Sequence, residues 1–283
     1  MAHVFALLRS RTLPSAVTYH LLTEPCDPLF RKFLLSRILS MSSDPSPKQV
    51  LQPPTGTAPA SDDQFAAELR RFGPAGIFAI LLILLTGNLS LGPIMVPAGA
   101  ILVMGWVRLS RTPSREIGYV RPRNWIEDIA FGLVLGFALK FLMKAVVMPL
   151  FSADPINWAY HSWAGNRALL PAAIWVCLAA GWGEETVYRG YLFERFGKLF
   201  PPGVGAKTAT VLITSVWFGL GHYLNQGLAG TEQATITGLV FGSVFAFSGR
   251  IFMLMCTHAA YDLTALALIY WNLETRVAHF IFK

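Results

Sequence analysis

Apolar stretches recur along this chain from Phe72 to Trp271, separated by short polar or charged intervals. A helix that crosses hydrocarbon takes about 20 apolar residues at ~1.5 Å of rise each. The pattern therefore predicts an all-α, polytopic transmembrane helix bundle of about seven to eight spans. Spans 1 and 2 are expected at 74–89 and 91–107, joined by an uncharged turn, and span 3 at 126–150 with Lys140 and Lys144 inside it. Span 4 starts near Ala168 and carries the sequence GWGEETVYRGYLFERF; spans 5, 6 and 7 follow at 205–224, 232–248 and 250–272. The expected division is a weakly structured tail over 1–72, a transmembrane domain over 73–272 and a short tail over 273–283. Within the tail, 42–63 is rich in Ser, Pro, Thr and Ala and too poor in apolar residues to order itself. Residues 64–71 read as a short helix ending at Arg70 and Arg71.

Composition sharpens this picture. The chain has 283 residues, 54% hydrophobic and 14% charged, with a mean hydropathy of +0.49. That excludes an ordinary water-soluble enzyme. A net charge of +7 would suggest nucleic acid in a soluble chain. Here the basic residues lie between apolar runs, with Arg108, Arg111, Arg115, Arg121 and Arg123 clustered together. This is the pattern of a positive-inside loop facing anionic lipid, so the expected partner is the bilayer and not nucleic acid. Arg70, Arg71, Arg195, Lys198 and Lys207 fall on the same side if the helices alternate. Residues 1–40 are short apolar pieces broken by prolines. A presequence reading competes there with an ordinary tail ahead of Met41, and the ordinary tail is the expectation. Cys26, Cys177 and Cys256 are too widely spaced for a disulfide framework or a zinc-type pair.

Charge inside a span is costly and persists where it faces a protein-lined cavity and meets a partner. Span 4 carries Glu184, Glu185 and Arg189. Glu185 and Arg189 are four apart and share a helix face, acid first, which is the favourable order. Glu184 points about 100° away. Span 5 places Phe218 and His222 four apart, and span 7 does the same with His258 and Asp262. Counting ~1.5 Å per residue from the loop near 199–206 puts Glu184 and His222 at about 20 and 22 Å, one common level. His258 comes out about 10 Å off that level. A carboxylate and a histidine around a water can take its proton as it attacks a carbonyl, while a second histidine holds the oxyanion. Each group alone has a packing explanation; together, on separate spans of a chain so poor in charge, they point to a functional site. Three other readings stay open at this point. Glu184, His222 and His258 are a possible two-histidine, one-carboxylate zinc set. The buried charges would also suit a transporter that relays protons. A non-enzymatic immunity or scaffold protein is the third.

The ordered triple Glu184-Glu185-x-x-x-Arg189, Phe218-x-x-x-His222 and His258-x-x-x-Asp262 resembles the CPBP family of intramembrane glutamic endopeptidases. That family includes type II CAAX prenyl proteases and bacterial bacteriocin-processing or immunity proteins. The resemblance covers about 168–272. It implies a metal-independent endopeptidase that needs no cofactor and cuts a membrane-associated protein or peptide. It implies Glu184 as the base activating water, His222 helping to hold it, and His258 as the oxyanion stabiliser. Position 262 would assist, and Glu185 with Arg189 would support the site as an ion pair, beside Phe218. Prenyl-protease members carry Asn where this chain has Asp262. An ionised Asp cannot donate to an oxyanion, so Asp262 is expected either protonated or orienting a neighbour. The bacterial branch is the closer likeness, which implies a bacterial inner membrane.

Overall fold

The computed structural model describes residues 61–88 and 94–282, and among them it is helical without a strand. The tail expected over 1–72 lies outside the described residues up to position 60. Helix α1 is Ser61–Arg70, α2 Pro74–Asn88 and α3 Met95–Leu109. Helix α4 runs Trp125–Leu142, passes through a π turn at Met143–Val147 and ends at Met148–Leu150. Its start is fixed by Asn124, whose side chain accepts hydrogen bonds from the amides of Ile126 and Glu127. Helix α5 is Leu170–Glu184, continued through a π turn at Glu185–Tyr191 into Leu192–Leu199. Helix α6 is Val204–Ser248, α7 is Phe252–Tyr270 and α8 is Glu274–Ala278.

By length and apolarity three helices among the described residues suffice to cross a membrane: Trp125–Leu150, Val204–Ser248 and Phe252–Tyr270. Helices α1 and α2, which meet at 53°, make a fourth if taken as one broken span. The expected seven to eight exceed this number for identifiable reasons. Helix α3 has only 15 residues. Helix α5 places Glu184 and Glu185 in the middle of its run, which lowers its hydropathy. Spans 5 and 6 are both present, as two helices within Val204–Ser248 that meet at a kink at Gly227 and are counted together above. There the backbone has φ 63° and ψ −158°, a conformation open to glycine and strained for any residue with a Cβ.

Helix α7 is the centre of the bundle, packed on one side by α4 and on another by α5, which in turn meets α3. Glycines make these approaches close. On α4, Gly132 and Gly136 form a G-x-x-x-G seam; a Cβ at Gly132 would come within 2.7 Å of Cys256 Cβ, and one at Gly136 within 2.7 Å of Ala260 Cβ. On α5, a Cβ at Gly181 would lie 2.8 Å from the Ala259 amide nitrogen. Backbones can approach this closely only where side chains are absent, as at membrane helix interfaces.

Two charges find partners that the sequence did not indicate. Arg195, grouped above with the lipid-facing basic residues, is 2% exposed and donates to the carbonyls of Arg70 (2.9 Å) and Arg71 (3.1 Å). It caps the carbonyl end of α1, and its guanidinium lies over the rings of Phe72 and Trp106. The segment expected as a C-terminal tail contains α8. Its Glu274 is buried and takes a 3.0 Å ion pair from Lys144 of α4, which also donates to the Pro155 carbonyl. Lys144 therefore lines a cavity as one half of an ion pair.

Gly136→Val should drive a branched side chain into α7, costing about 1–3 kcal/mol or more. Gly105→Ala, where a Cβ meets nothing within 4 Å, should be neutral or slightly stabilising. Thermal unfolding of the two variants in detergent checks the contrast.

Candidate active site

The two neighbouring acids of α5 have different surroundings. Glu185 is 0% exposed, whereas Glu184 keeps 17% of its side chain open. The π turn begins here and widens the helix through the whole of Glu185–Tyr191, a distortion that gathers at functional sites. Arg189 stays within reach of Glu185 and donates from a guanidinium nitrogen to Oε1 at 2.8 Å. Its other terminal nitrogen donates to the Gly238 carbonyl at 3.5 Å, and the guanidinium lies over the rings of Phe218 (4.7 Å) and Phe241 (5.4 Å). Delocalised and weakly hydrated, a guanidinium suits such aromatic walls better than an ammonium would.

His258 comes from α7 to the same oxygen. Its Nδ1 lies 2.7 Å from Glu185 Oε1. An ionised carboxylate can only accept, so Nδ1 carries the proton. Nε2 then faces Glu184 Oε2 at 3.6 Å and Asp262 Oδ2 at 3.5 Å. The offset of about 10 Å expected for His258 from rise per residue does not occur. That arithmetic set the loops at one level and the helices parallel, whereas the glycine contacts decide how α7 sits against α5.

His222 is held by its own helix. Its Nδ1 lies 2.8 Å from the Phe218 backbone carbonyl, which also can only accept. The Nδ1–H tautomer is thereby set, and Nε2 is left with its lone pair when the ring is neutral. Phe218 packs edge-on against His222 (4.7 Å), Tyr188 (4.9 Å) and His258 (6.0 Å), so it shapes the space between the two imidazoles.

Glu184, His222, His258 and Asp262 all line one cavity of about 380 Å³. The structure thus brings together the acid, both histidines and the aspartate that the sequence singled out, with Glu185 and Arg189 sealed behind them. Sequence reasoning did not foresee that Glu185 orients His258 as well as pairing with Arg189. It also did not foresee Phe241, which walls both Arg189 and His258, or the loop residue Tyr160. Tyr160 lies between α4 and α5, outside the spans. Burial, and after it the carboxylates of Asp262 and Glu184, pushes its phenol up to about 12. The hydroxyl therefore keeps its proton at neutral pH and lines the cavity as a donor. Among the described residues no three His, Cys, Asp or Glu side chains are grouped so as to hold a metal ion.

Residues 166–264 match a family model described as type II CAAX prenyl endopeptidase Rce1-like. The match covers about a third of the chain. All three motifs fall inside it, while α1 to α4 lie outside. No curated protein and no solved structure matches the chain. The match and the apolar helices fit an integral membrane protein.

Arg189→Leu would leave the Glu185 carboxylate buried without its cation. The expected cost is about 3–5 kcal/mol, the usual result of breaking a buried pair from one side. A lowered unfolding midpoint, accompanied by loss of any activity, is the measurement.

Proposed function

We propose that the chain is a glutamic-type intramembrane endopeptidase that hydrolyses a peptide bond in a membrane-associated protein or peptide. The observation that carries this reading is the convergence of Glu184, His222 and His258 on one cavity, with Glu184 still partly open and Glu185 fully sealed.

A water in the cavity gives a proton to Glu184 as its oxygen attacks the scissile carbonyl carbon. His222 accepts the water's other hydrogen at Nε2 and so turns the lone pair toward the carbonyl. The carbonyl oxygen gains the negative charge. His258 in its protonated form donates to it from Nε2, while Glu185 holds the far side of the ring. Asp262, 3.5 Å from the same nitrogen, orients that ring and does not itself donate to the oxyanion. Collapse of the intermediate breaks the C–N bond, and Glu184 returns its proton to the leaving amine. The first products are a carboxylic acid and an amine, with Glu184 restored; the acid's proton, turned toward His222, then passes to the amine or to solvent and leaves a carboxylate and an ammonium.

The division of labour between the two acids follows from burial. An acid locked by Arg189 and His258 cannot exchange protons with a water; its neighbour, which among the described residues makes no approach closer than the 3.6 Å to His258, can. A protein ending in a CAAX sequence is the substrate suggested by the family match.

Glu184→Gln and His222→Ala should each lower kcat by at least about 10²-fold, the usual size of a positioned acid–base contribution, while the protein inserts and unfolds normally. Cleavage of a quenched fluorescent prenylated CAAX peptide in proteoliposomes, alongside thermal unfolding, reads both. Wild-type turnover from Glu184→Gln would overturn the mechanism. The same assay under titration with 1,10-phenanthroline should show no loss of rate; loss restored by added zinc would favour metal-assisted hydrolysis.

A further inference from the structure

Lys140 of α4 is a buried cation that the mechanism does not use. It is 5% exposed and lies outside the segment that matches the family model. Lys144, one helical turn on, is neutralised by Glu274. Lys140 has no such partner: no carboxylate of a described residue comes within 4 Å of it. Its contacts are weak for an ammonium. It donates to Gln233 Oε1 at 3.4 Å, and it sits 4.6 Å from the centre of the Tyr261 ring. An ammonium has three protons to donate, and burying one without an anion is costly.

The position of Lys140 shows where an anion would come from. It lines the catalytic cavity together with Glu184, His258 and Asp262, and it lines a second cavity of about 270 Å³ alongside Gln226 and Gln233. It therefore stands in the wall shared by both spaces. Gln233 spends its oxygen on Lys140, which leaves its NH2 as a further donor on that wall. An ammonium and an amide NH2 side by side form a receptor for a carboxylate.

We propose that Lys140 is a specificity-determining residue that binds a carboxylate of the peptide substrate and so favours bonds lying close to an anionic group. The inference rests on the cavity being the peptidase site proposed above. A peptide can bring a carboxylate in two ways, as its free C-terminus or as an Asp or Glu side chain. In either case the substrate brings an anion into direct contact with an ammonium whose protein counter-charges, Asp262 and Glu274, act on it only from beyond 4 Å. Recognition of this kind acts mainly on KM, because the carboxylate does not change during hydrolysis.

The test separates recognition from catalysis. Binding of an apolar tripeptide to the Glu184→Gln protein in detergent is followed by thermal stabilisation, with the tripeptide as free acid, as C-terminal amide, and as an amide containing one internal Asp. The free acid or the Asp-containing amide should bind about 10–100-fold more tightly than the plain amide, the size of one charge-assisted contact. Lys140→Met should abolish that difference and Lys140→Arg should largely restore it. Which of the two anionic peptides binds identifies the source of the carboxylate. Equal binding of all three peptides, or a preference that survives Lys140→Met, would overturn the proposal. Full activity in Glu184→Gln would instead overturn the peptidase mechanism, and this binding experiment does not depend on turnover. If Lys140→Met unfolds, Lys140→Gln, which keeps a polar head, supplies the same comparison.

Discussion

The Oε1 atom of Glu185 receives two charge-assisted hydrogen bonds, one from Arg189 on its own helix and one from His258 on another. A fully buried carboxylate survives only with such partners. Here the partners also set the geometry of the site. Arg189 neutralises the acid, and the acid then fixes which nitrogen of His258 carries the proton. Nε2 is thereby aimed at Glu184 and Asp262. If that oxygen lost either bond, the imidazole would lose its orientation or the acid its charge balance. The second oxygen, Oε2, is buried with no hydrogen-bond partner among the described residues, so all the compensation runs through one atom.

The arrangement depends on how closely α7 is gripped. The α4 seam at Gly132 and Gly136 and the α5 contact at Gly181 press on α7 from different sides. Side chains on α7 are thereby held at short range from acids on α5 and from lysines on α4. Closeness of backbones and convergence of charge are thus one property. Small residues at the seams let polar groups on three helices share a cavity that hydrocarbon alone would not hydrate.

The sequence made local pairs legible and distant ones not. Glu185 with Arg189, Phe218 with His222, and His258 with Asp262 are each four apart, so helical periodicity alone put each pair on one face. The ends of α4 and α7 were also legible, because apolar runs stop at Asn124, Gly249 and Trp271. The depth of His258 was not, since rise per residue carries no information on tilt or on loop height. Lys144 and Glu274 are 130 residues apart, and no local pattern ties them. Arg195 read only as one of the basic residues on one side, because its partners are backbone carbonyls, which every sequence supplies and none advertises. The break at Gly227 was expected only as a loop between two spans; its left-handed backbone turns within a single residue instead.

The wide turn at Glu185–Tyr191 constrains the chain in a further way. A π turn holds one more residue than the α-helical turn it replaces. Removing one residue from this stretch would let the helix relax into regular geometry, which absorbs the loss for everything beyond it but redirects the side chains within the turn. A loss between Glu185 and Arg189 would change the spacing on which their ion pair rests, even with Arg195 kept at the end of α1. The number of residues between Glu185 and Arg189 is therefore as much a part of the site as their identities.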